Sequence, residues 1–172
     1  TLINGYPNSA LLYNIRASCC KAIGQLDNAV KDYGKALALK PDYAEAQYNL
    51  GITQRELGQI DAAIKSYKQA LTIKPDYFGA HNNLGNIFLD LGQMDGVIKQ
   101  YEKLLAINPN YAASYYHLSS IKQYTMSDTQ ITQMQSLLST GKLTQPERIH
   151  LCFALAKVNE KLGNQDELFK FL

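Results

Sequence analysis

The chain has 172 residues, of which 46% are hydrophobic and 19% charged, and its formal net charge is +2. This apolar content excludes a disordered chain, and the near balance of 17 basic and 15 acidic residues gives no broad attraction to nucleic acid or to an anionic membrane. Because no run of 18 apolar residues occurs, no membrane-spanning helix is predicted. Three cysteines without metal-ligand spacing indicate a reducing compartment, and we expect a cytoplasmic protein.

The prolines recur at a fixed spacing. Four of the five stand 34 residues apart, at Pro7, Pro41, Pro75 and Pro109. Residues 44–77 align with 78–111 without a gap and are identical at 15 of 34 positions. Self-similarity at such a period predicts a stacked array of repeats.

Each repeat has the pattern of a helical hairpin. Apolar residues recur at three-to-four spacing along two stretches of the repeat, which predicts two amphipathic helices. Gly58 suits the left-handed residue that ends the first helix, and Asp61 is predicted to cap the second. Pro75 ends the second helix because it lacks an N–H and restricts the residue before it. Ala63 lets the paired helices approach closely, and Tyr67 is predicted to fill the space between hairpins.

A 34-residue hairpin with Leu-Gly in its first helix, Ala and Tyr in its second and Pro near its end resembles the tetratricopeptide repeat (TPR). The resemblance implies an all-α fold whose hairpins stack into a right-handed superhelix, an α-solenoid, with the first helices lining a concave groove. We expect the tail of a preceding repeat at 1–9, TPR units at 10–43, 44–77 and 78–111, a degenerate TPR with a three-residue insertion at 112–148, and a degenerate, truncated C-terminal hairpin at 149–172.

The C-terminal third follows this plan less closely. A first helix is predicted over 112–124, Ser127 or Asp128 is predicted to cap a second, and residues 144–147 form a capping box for the next. The stretch from Tyr124 onwards is similar to the hairpin that precedes the catalytic domain of bacterial TPR/sulfotransferase proteins. That resemblance implies a sulfotransferase domain beyond this chain, which itself carries none of the phosphate-binding residues of such a domain.

The two ends of the chain suggest an excised fragment. The sequence opens with Thr1 rather than Met, without a signal peptide, and closes at Leu172 without a polar helix that would cap a stack. We expect the uncapped apolar ends to pack on the rest of a parent protein or to self-associate.

The first helices carry the candidate binding residues. The sixth position of each faces the groove in this family, and here it holds Ile15, Asn49, Asn83 and His117. An Asn amide offers donors and an acceptor together, so a row of them can bind the backbone of an extended peptide. The pair Asn49 and Asn83 resembles the asparagine ladder of O-linked N-acetylglucosamine transferases. Groove-facing places are also predicted for Tyr48, Asn82, Asn86 and Tyr116.

These residues predict a protein-protein interaction module that binds a peptide or a partner protein. Solvated asparagines without a ligand would give the same pattern, so the ladder is one of two interpretations. Recognition of a chaperone's terminal carboxylate would need Lys or Arg on the inward face, where Asn14, Ser18 and Gly79 stand instead. Two alternatives stay open: a substrate-recruiting region of a sulfotransferase, and a self-assembling scaffold.

No catalytic, cofactor or metal site is predicted. His81 is expected to fill an aromatic position of the repeat, and His117 and His150 stand in separate repeats without metal-ligand spacing. Cys19 and Cys20 are expected to act as small apolar residues, since no cationic neighbour that would activate a thiol can be identified. The glycines fall at repeat turns rather than in a phosphate-binding loop.

Overall fold

A computed structural model describes residues 5–164, and these are all-α. Nine helices lie in the described residues: α1 (Ala10–Ala22), α2 (Leu26–Leu39), α3 (Ala44–Glu56), α4 (Ile60–Ile73), α5 (Phe78–Asp90), α6 (Met94–Ile107), α7 (Ala112–Ser120), α8 (Asp128–Ser139) and α9 (Gln145–Leu162). The chain divides into two compact units, Thr1–Ile87 and Phe88–Leu172. In the first unit α1 packs on α2, α2 on α3 and α3 on α4; in the second α9 packs on α7 and α8.

Glycine ends the first helix of each full repeat, as predicted. Gly58 has φ +74°, and its N–H donates to the carbonyl of Arg55 at 2.9 Å. The predicted cap of the second helix was wrong, because Gln59 is the N-cap residue of α4 and makes no side-chain cap bond. Asp61 lies instead in the first turn of α4, where a carboxylate interacts favourably with the helix dipole. The predicted stop before Pro75 is confirmed, since α4 ends at Ile73.

Small residues and a buried tyrosine build the core of the first two hairpins. Ala63, Tyr67 and Ala70 in α4 are fully buried, as are their counterparts in α2. A Cβ atom added to Gly51 in α3 would lie 2.8 Å from Cε1 of Tyr67. The glycine of the Leu-Gly motif is therefore required by the approach of the Tyr67 ring to the α3 backbone.

The side chain at the fourth position of the first helix bonds to the proline turn before that helix. Nε2 of His81 lies 2.8 Å from the carbonyl oxygen of Pro75, and the hydroxyl of Tyr115 donates to the carbonyl oxygen of Pro109 at 2.7 Å. His81 is 6% exposed and Tyr115 is 2% exposed. The prediction that His81 occupies the aromatic position of its repeat is therefore confirmed.

The first helix of the fourth repeat, α7, is shorter than predicted. It was expected to reach Tyr124, but α7 ends at Ser120, and Ile121 turns into an extended conformation with φ −82° and ψ 121°. The hydroxyl of Ser120 donates to the carbonyl of Tyr116, which competes with the helical pattern. Nζ of Lys161 in α9 donates to the carbonyls of Ile121 and Tyr124 at 2.9 Å each, so the released backbone is satisfied.

The predicted capping box at 144–147 is present, and Ser127, one of the two predicted caps of α8, forms a second box. The hydroxyl of Ser127 accepts from the N–H of Gln130 at the start of α8, and Thr144 and Glu147 form the corresponding pair at the start of α9. Hydrogen bonds from Thr144 lower the pKa of Glu147. Since α9 begins at Gln145, residues 145–148 belong to the helix that carries the last predicted hairpin. Residues 1–4 of the predicted N-terminal tail and 165–172 of the last hairpin lie outside the described residues.

Candidate functional site

The first unit carries an open pocket on its first helices. It has a volume of about 430 Å³ and is lined by Tyr48, Ile52, Arg55, Glu56, Tyr67 and Asn83, a set that we call the Tyr48–Asn83 pocket. Four of these residues come from α3, with one each from α4 and α5. Successive repeats thus contribute to one cavity, although only Tyr48 and Asn83 were predicted to bind a ligand.

Asn83 connects the two tyrosines of the pocket. Its Nδ2 donates to the hydroxyl of Tyr48 at 3.4 Å and to the hydroxyl of Tyr67 at 3.3 Å. The two rings are 5.9 Å apart between centroids, and Tyr48 also lies 4.7 Å from the ring of Tyr77. The amide therefore holds both hydroxyl groups at the same wall of the pocket.

A glycine makes room for Tyr48. A Cβ atom added to Gly79 in α5 would lie 2.7 Å from the hydroxyl oxygen of Tyr48 and 2.9 Å from Cζ. No side chain of L configuration fits there unless Tyr48 shifts. Gly79 therefore sets the position of this hydroxyl. The sequence analysis had named Gly79 only as an inward position that carries no Lys or Arg.

The pocket is polar, and its carboxylate, Glu56, is paired with a lysine. Burial raises the pKa of Tyr67 to about 12, while the hydrogen bond from Asn83 and the charge of Arg55 oppose that rise. Tyr67 is therefore a neutral hydroxyl near pH 7. The carboxylate of Glu56 lies 3.8 Å from Nζ of Lys21, so the pocket wall carries an ion pair as well as the guanidinium of Arg55.

Asn49 and Asn83, the two residues of the predicted asparagine ladder, do not line the same pocket. Asn49 is half-buried on α3 but does not line the Tyr48–Asn83 pocket, and its carbonyl accepts from the hydroxyl of Thr53 at 2.9 Å. Asn82 and Asn86 are half-buried on α5. Asn14, assigned to an inward place by the sequence, is only 4% exposed and donates to the hydroxyl of Tyr43 at 3.3 Å.

The second unit holds an aromatic cluster around Tyr116. The Tyr116 ring lies 5.3 Å from that of His117, 4.9 Å from His150 and 5.0 Å from Phe153. His117 also stacks on Tyr101 at 4.5 Å. Burial and the neighbouring His150 lower the pKa of His117, so its ring is neutral near pH 7. Sequence reasoning named Tyr116 and His117, but missed the two residues of α9.

The two neighbouring thiols differ, because Cys20 packs against the hydrophobic core as expected and Cys19 does not. Cys19 is exposed, so its assignment as a small apolar residue was wrong, and Cys20 is half-buried. Cys20 lines a second pocket that also holds Arg16, Lys31 and Lys35. Cationic side chains, which the sequence did not identify, therefore lie in the same pocket as this thiol. Arg16 is bound to the carboxylate of Asp32 through two hydrogen bonds.

Residues 5–164 contain neither a cluster of metal ligands nor a membrane-spanning helix. No group of three or more His, Cys, Asp or Glu side chains in this range is placed to hold a metal ion. Neither does any helix in it combine the length and apolar character required to cross a bilayer.

Solved structures share this fold. The peptide-binding TPR protein YrrB matches with a TM-score of 0.75 and 17% identity, over 99% of this chain and 86% of that one. MamA matches with a TM-score of 0.65 and 20% identity, over 96% and 85% of the two chains. The first TPR of Spaghetti (RPAP3), solved with an HSP90 peptide, matches with a TM-score of 0.56 and 22% identity, over 59% and 81%.

Sequence comparison identifies the family. No curated protein sequence matches the chain, and the predicted sulfotransferase link gains no support from the matches. A family model described as TPR repeat matches residues 20–54, 53–92 and 85–121, which together span more than half of the chain. The hairpins, their glycine turns and these matches agree: the chain belongs to the tetratricopeptide repeat family.

Proposed function

We propose that this protein is a peptide-binding module and that the first helices form its binding surface. The observation that carries the proposal is the Tyr48–Asn83 pocket, an open cavity whose walls combine two aromatic rings, hydroxyl groups and an amide. Such a mixture of apolar walls and a few placed polar groups is typical of ligand sites.

An extended peptide suits this surface because its backbone needs alternating donors and acceptors. The Nδ2 group of Asn83 is already bound to two hydroxyl groups. Its side-chain oxygen would supply an acceptor to the peptide. The ladder residue Asn49 and the half-buried Asn82 and Asn86 would continue the contacts along the first helices. In the second unit, Tyr116 and His117 would offer aromatic contacts.

The solved structures support this class of ligand. YrrB is described as having an unusual peptide-binding site, and the RPAP3 repeat was solved with the peptide SRMEEVD. Because these proteins are less than 25% identical to this chain, they support the kind of partner and not its sequence.

Selection from a random peptide library displayed on phage tests the proposal. Peptides recovered on the immobilised chain would be synthesised, and their affinities measured by fluorescence anisotropy. We expect the double variant Asn49→Ala, Asn83→Ala to bind about tenfold more weakly, the typical size of one or two lost hydrogen bonds.

Asn28→Ala is the matched control. Asn28 lies on the second helix α2, and its exposed side chain donates to Gln25 at 3.1 Å. This variant should bind like the native chain. Equal affinity of the ladder variant and the control would remove Asn49 and Asn83 from the site, and failure to select any peptide would refute the proposal.

The two other hypotheses make different predictions. A substrate-recruiting region of a sulfotransferase would require a sulfotransferase domain in the same reading frame, which sequencing of the flanking DNA would detect. A self-assembling scaffold would give a mass above 19.2 kDa by light scattering at high concentration. Neither has a site among the described residues comparable with the Tyr48–Asn83 pocket.

A further inference from the structure

A cavity lies in the second unit, between the start of α8 and the end of α9, and we call it the α8–α9 cavity. It has a volume of about 170 Å³, and its lining includes Met126, Asp128, Ile131, Val158 and Lys161. An apolar cavity of about 150 Å³ is large enough to hold a benzene molecule. The α8–α9 cavity therefore has room for one aromatic ring or one branched aliphatic side chain.

The floor of this cavity is apolar and its mouth is charged. Met126 and Val158 are each 7% exposed, and Ile131 is half-buried. Asp128 and Lys161 are exposed, so their charged groups meet solvent at the edge of the same cavity. The floor favours a ligand with an apolar group that is removed from water on binding. The mouth favours charged groups at the other end of that ligand.

The two charges at the mouth have opposite signs and remain open to a ligand. Among residues 5–164, the ion pairs include neither Asp128 nor Lys161. Nζ of Lys161 donates to the carbonyls of Ile121 and Tyr124 at 2.9 Å each. Since an ammonium group carries three N–H donors, one is left for an acceptor on a ligand. The carboxylate of Asp128 can accept from a cationic donor.

We propose that the α8–α9 cavity binds a free α-amino acid whose side chain is apolar and of the size of leucine or phenylalanine. The side chain would occupy the floor, the α-carboxylate would accept from Lys161, and the α-ammonium would donate to Asp128. A free amino acid carries these three groups on one carbon atom. A residue inside a peptide lacks both charges and fits the mouth less well. This site lies in the second unit and does not depend on the peptide-binding function proposed above.

Calorimetric titration of the chain with L-leucine and L-phenylalanine tests the proposal. L-Alanine lacks a group that fills the floor and should bind at least about tenfold more weakly. N-acetyl-L-leucine lacks the ammonium and L-leucinamide lacks the carboxylate. Each should bind about tenfold more weakly than L-leucine, the typical loss for one hydrogen bond to a charged group.

The variant Asp128→Asn identifies the group that binds the ammonium. It should weaken L-leucine about tenfold and leave N-acetyl-L-leucine unchanged, because that ligand has no ammonium to lose. Asp61→Asn is the matched control, since Asp61 is also an exposed aspartate in the first turn of a helix but lies in the first unit. The control should bind L-leucine like the native chain.

Hydrogen exchange gives the location of the ligand. Lys161 holds the backbone at Ile121 and Tyr124, so a ligand that bonds to the same ammonium should stabilise this segment. With L-leucine at ten times its Kd, amide exchange over residues 121–127 should slow about tenfold. Unchanged exchange at that concentration would place the ligand elsewhere and overturn the proposal.

The other results are equally decisive. Absence of binding by both L-leucine and L-phenylalanine overturns the proposal, as does an unchanged affinity for L-leucine in Asp128→Asn. Equal affinities of L-leucine and N-acetyl-L-leucinamide would assign the cavity to a peptide residue instead of a free amino acid. Thermal melts followed by circular dichroism verify that each variant is folded at the assay temperature.

Discussion

Replacing Gly51 with alanine should destabilise the protein although it places a better helix former in α3. An added Cβ would lie 2.8 Å from Cε1 and 2.9 Å from Cδ1 of Tyr67, and Tyr67 is fully buried and cannot move into solvent. Overpacking of a core typically costs about 1–3 kcal/mol. Helix propensity returns about 1 kcal/mol. We expect a net loss of up to about 2 kcal/mol in the free energy of unfolding.

Gly34→Ala is the control with the same propensity gain. Gly34 lies in α2, is exposed, and has no atom within 4 Å of an added Cβ. It should stabilise the protein by about 0.5–1 kcal/mol. Urea unfolding followed by circular dichroism would compare the midpoints of both variants with the native chain. If Gly51→Ala stabilises as much as Gly34→Ala, the packing of Tyr67 against α3 is not what the glycine provides.

Three further outcomes are expected. Tyr115→Phe should lower the unfolding free energy by about 1 kcal/mol, measured in urea, because the carbonyl of Pro109 loses its donor. Since burial raises the pKa of Tyr67 from 10.0 to about 12, its contribution to stability is fully present below pH 10 and is lost as the pH rises toward 12; Tyr67→Phe should flatten that part of a stability-versus-pH curve. Lys161→Met should increase amide exchange over residues 121–127, because the backbone there loses two hydrogen bonds from Nζ; unchanged exchange would contradict this role.

The period of the sequence was sufficient to predict the hairpins but not their exact ends. Gly58 and Pro75 have one physical role each, a left-handed turn and a helix stop, so their spacing located α3 and α4. Asp61 could act either as the N-cap residue of α4 or as a charge in its first turn, and the sequence did not distinguish these two roles. Likewise, nothing in the sequence indicated that Lys161, forty residues away, would bind the carbonyl of Ile121.

Repeat symmetry also explains why Asn49 and Asn83 were predicted to be equivalent. They occupy the same position of successive repeats, 16 residues after Tyr33 and Tyr67 respectively. The hydroxyl of Tyr67 accepts from Asn83, whereas the hydroxyl of Tyr33 shares a bond with Ser18. Identical positions therefore have different hydrogen-bond partners, and the period alone could not predict this.

The difference arises from the first helix of each hairpin. Ser18 and Ile52 occupy the same repeat position, but only serine can bind the tyrosine hydroxyl above it. In the hairpin with Ile52, the hydroxyl of Tyr67 bonds instead with Asn83 of the following repeat. An apolar residue at this position thus leaves the hydroxyl of the core tyrosine to bond with the next hairpin. The hydrogen-bond partner of the buried tyrosine therefore depends on the residue that its own first helix places beside it, and the asparagine that follows 16 residues later does not decide it alone.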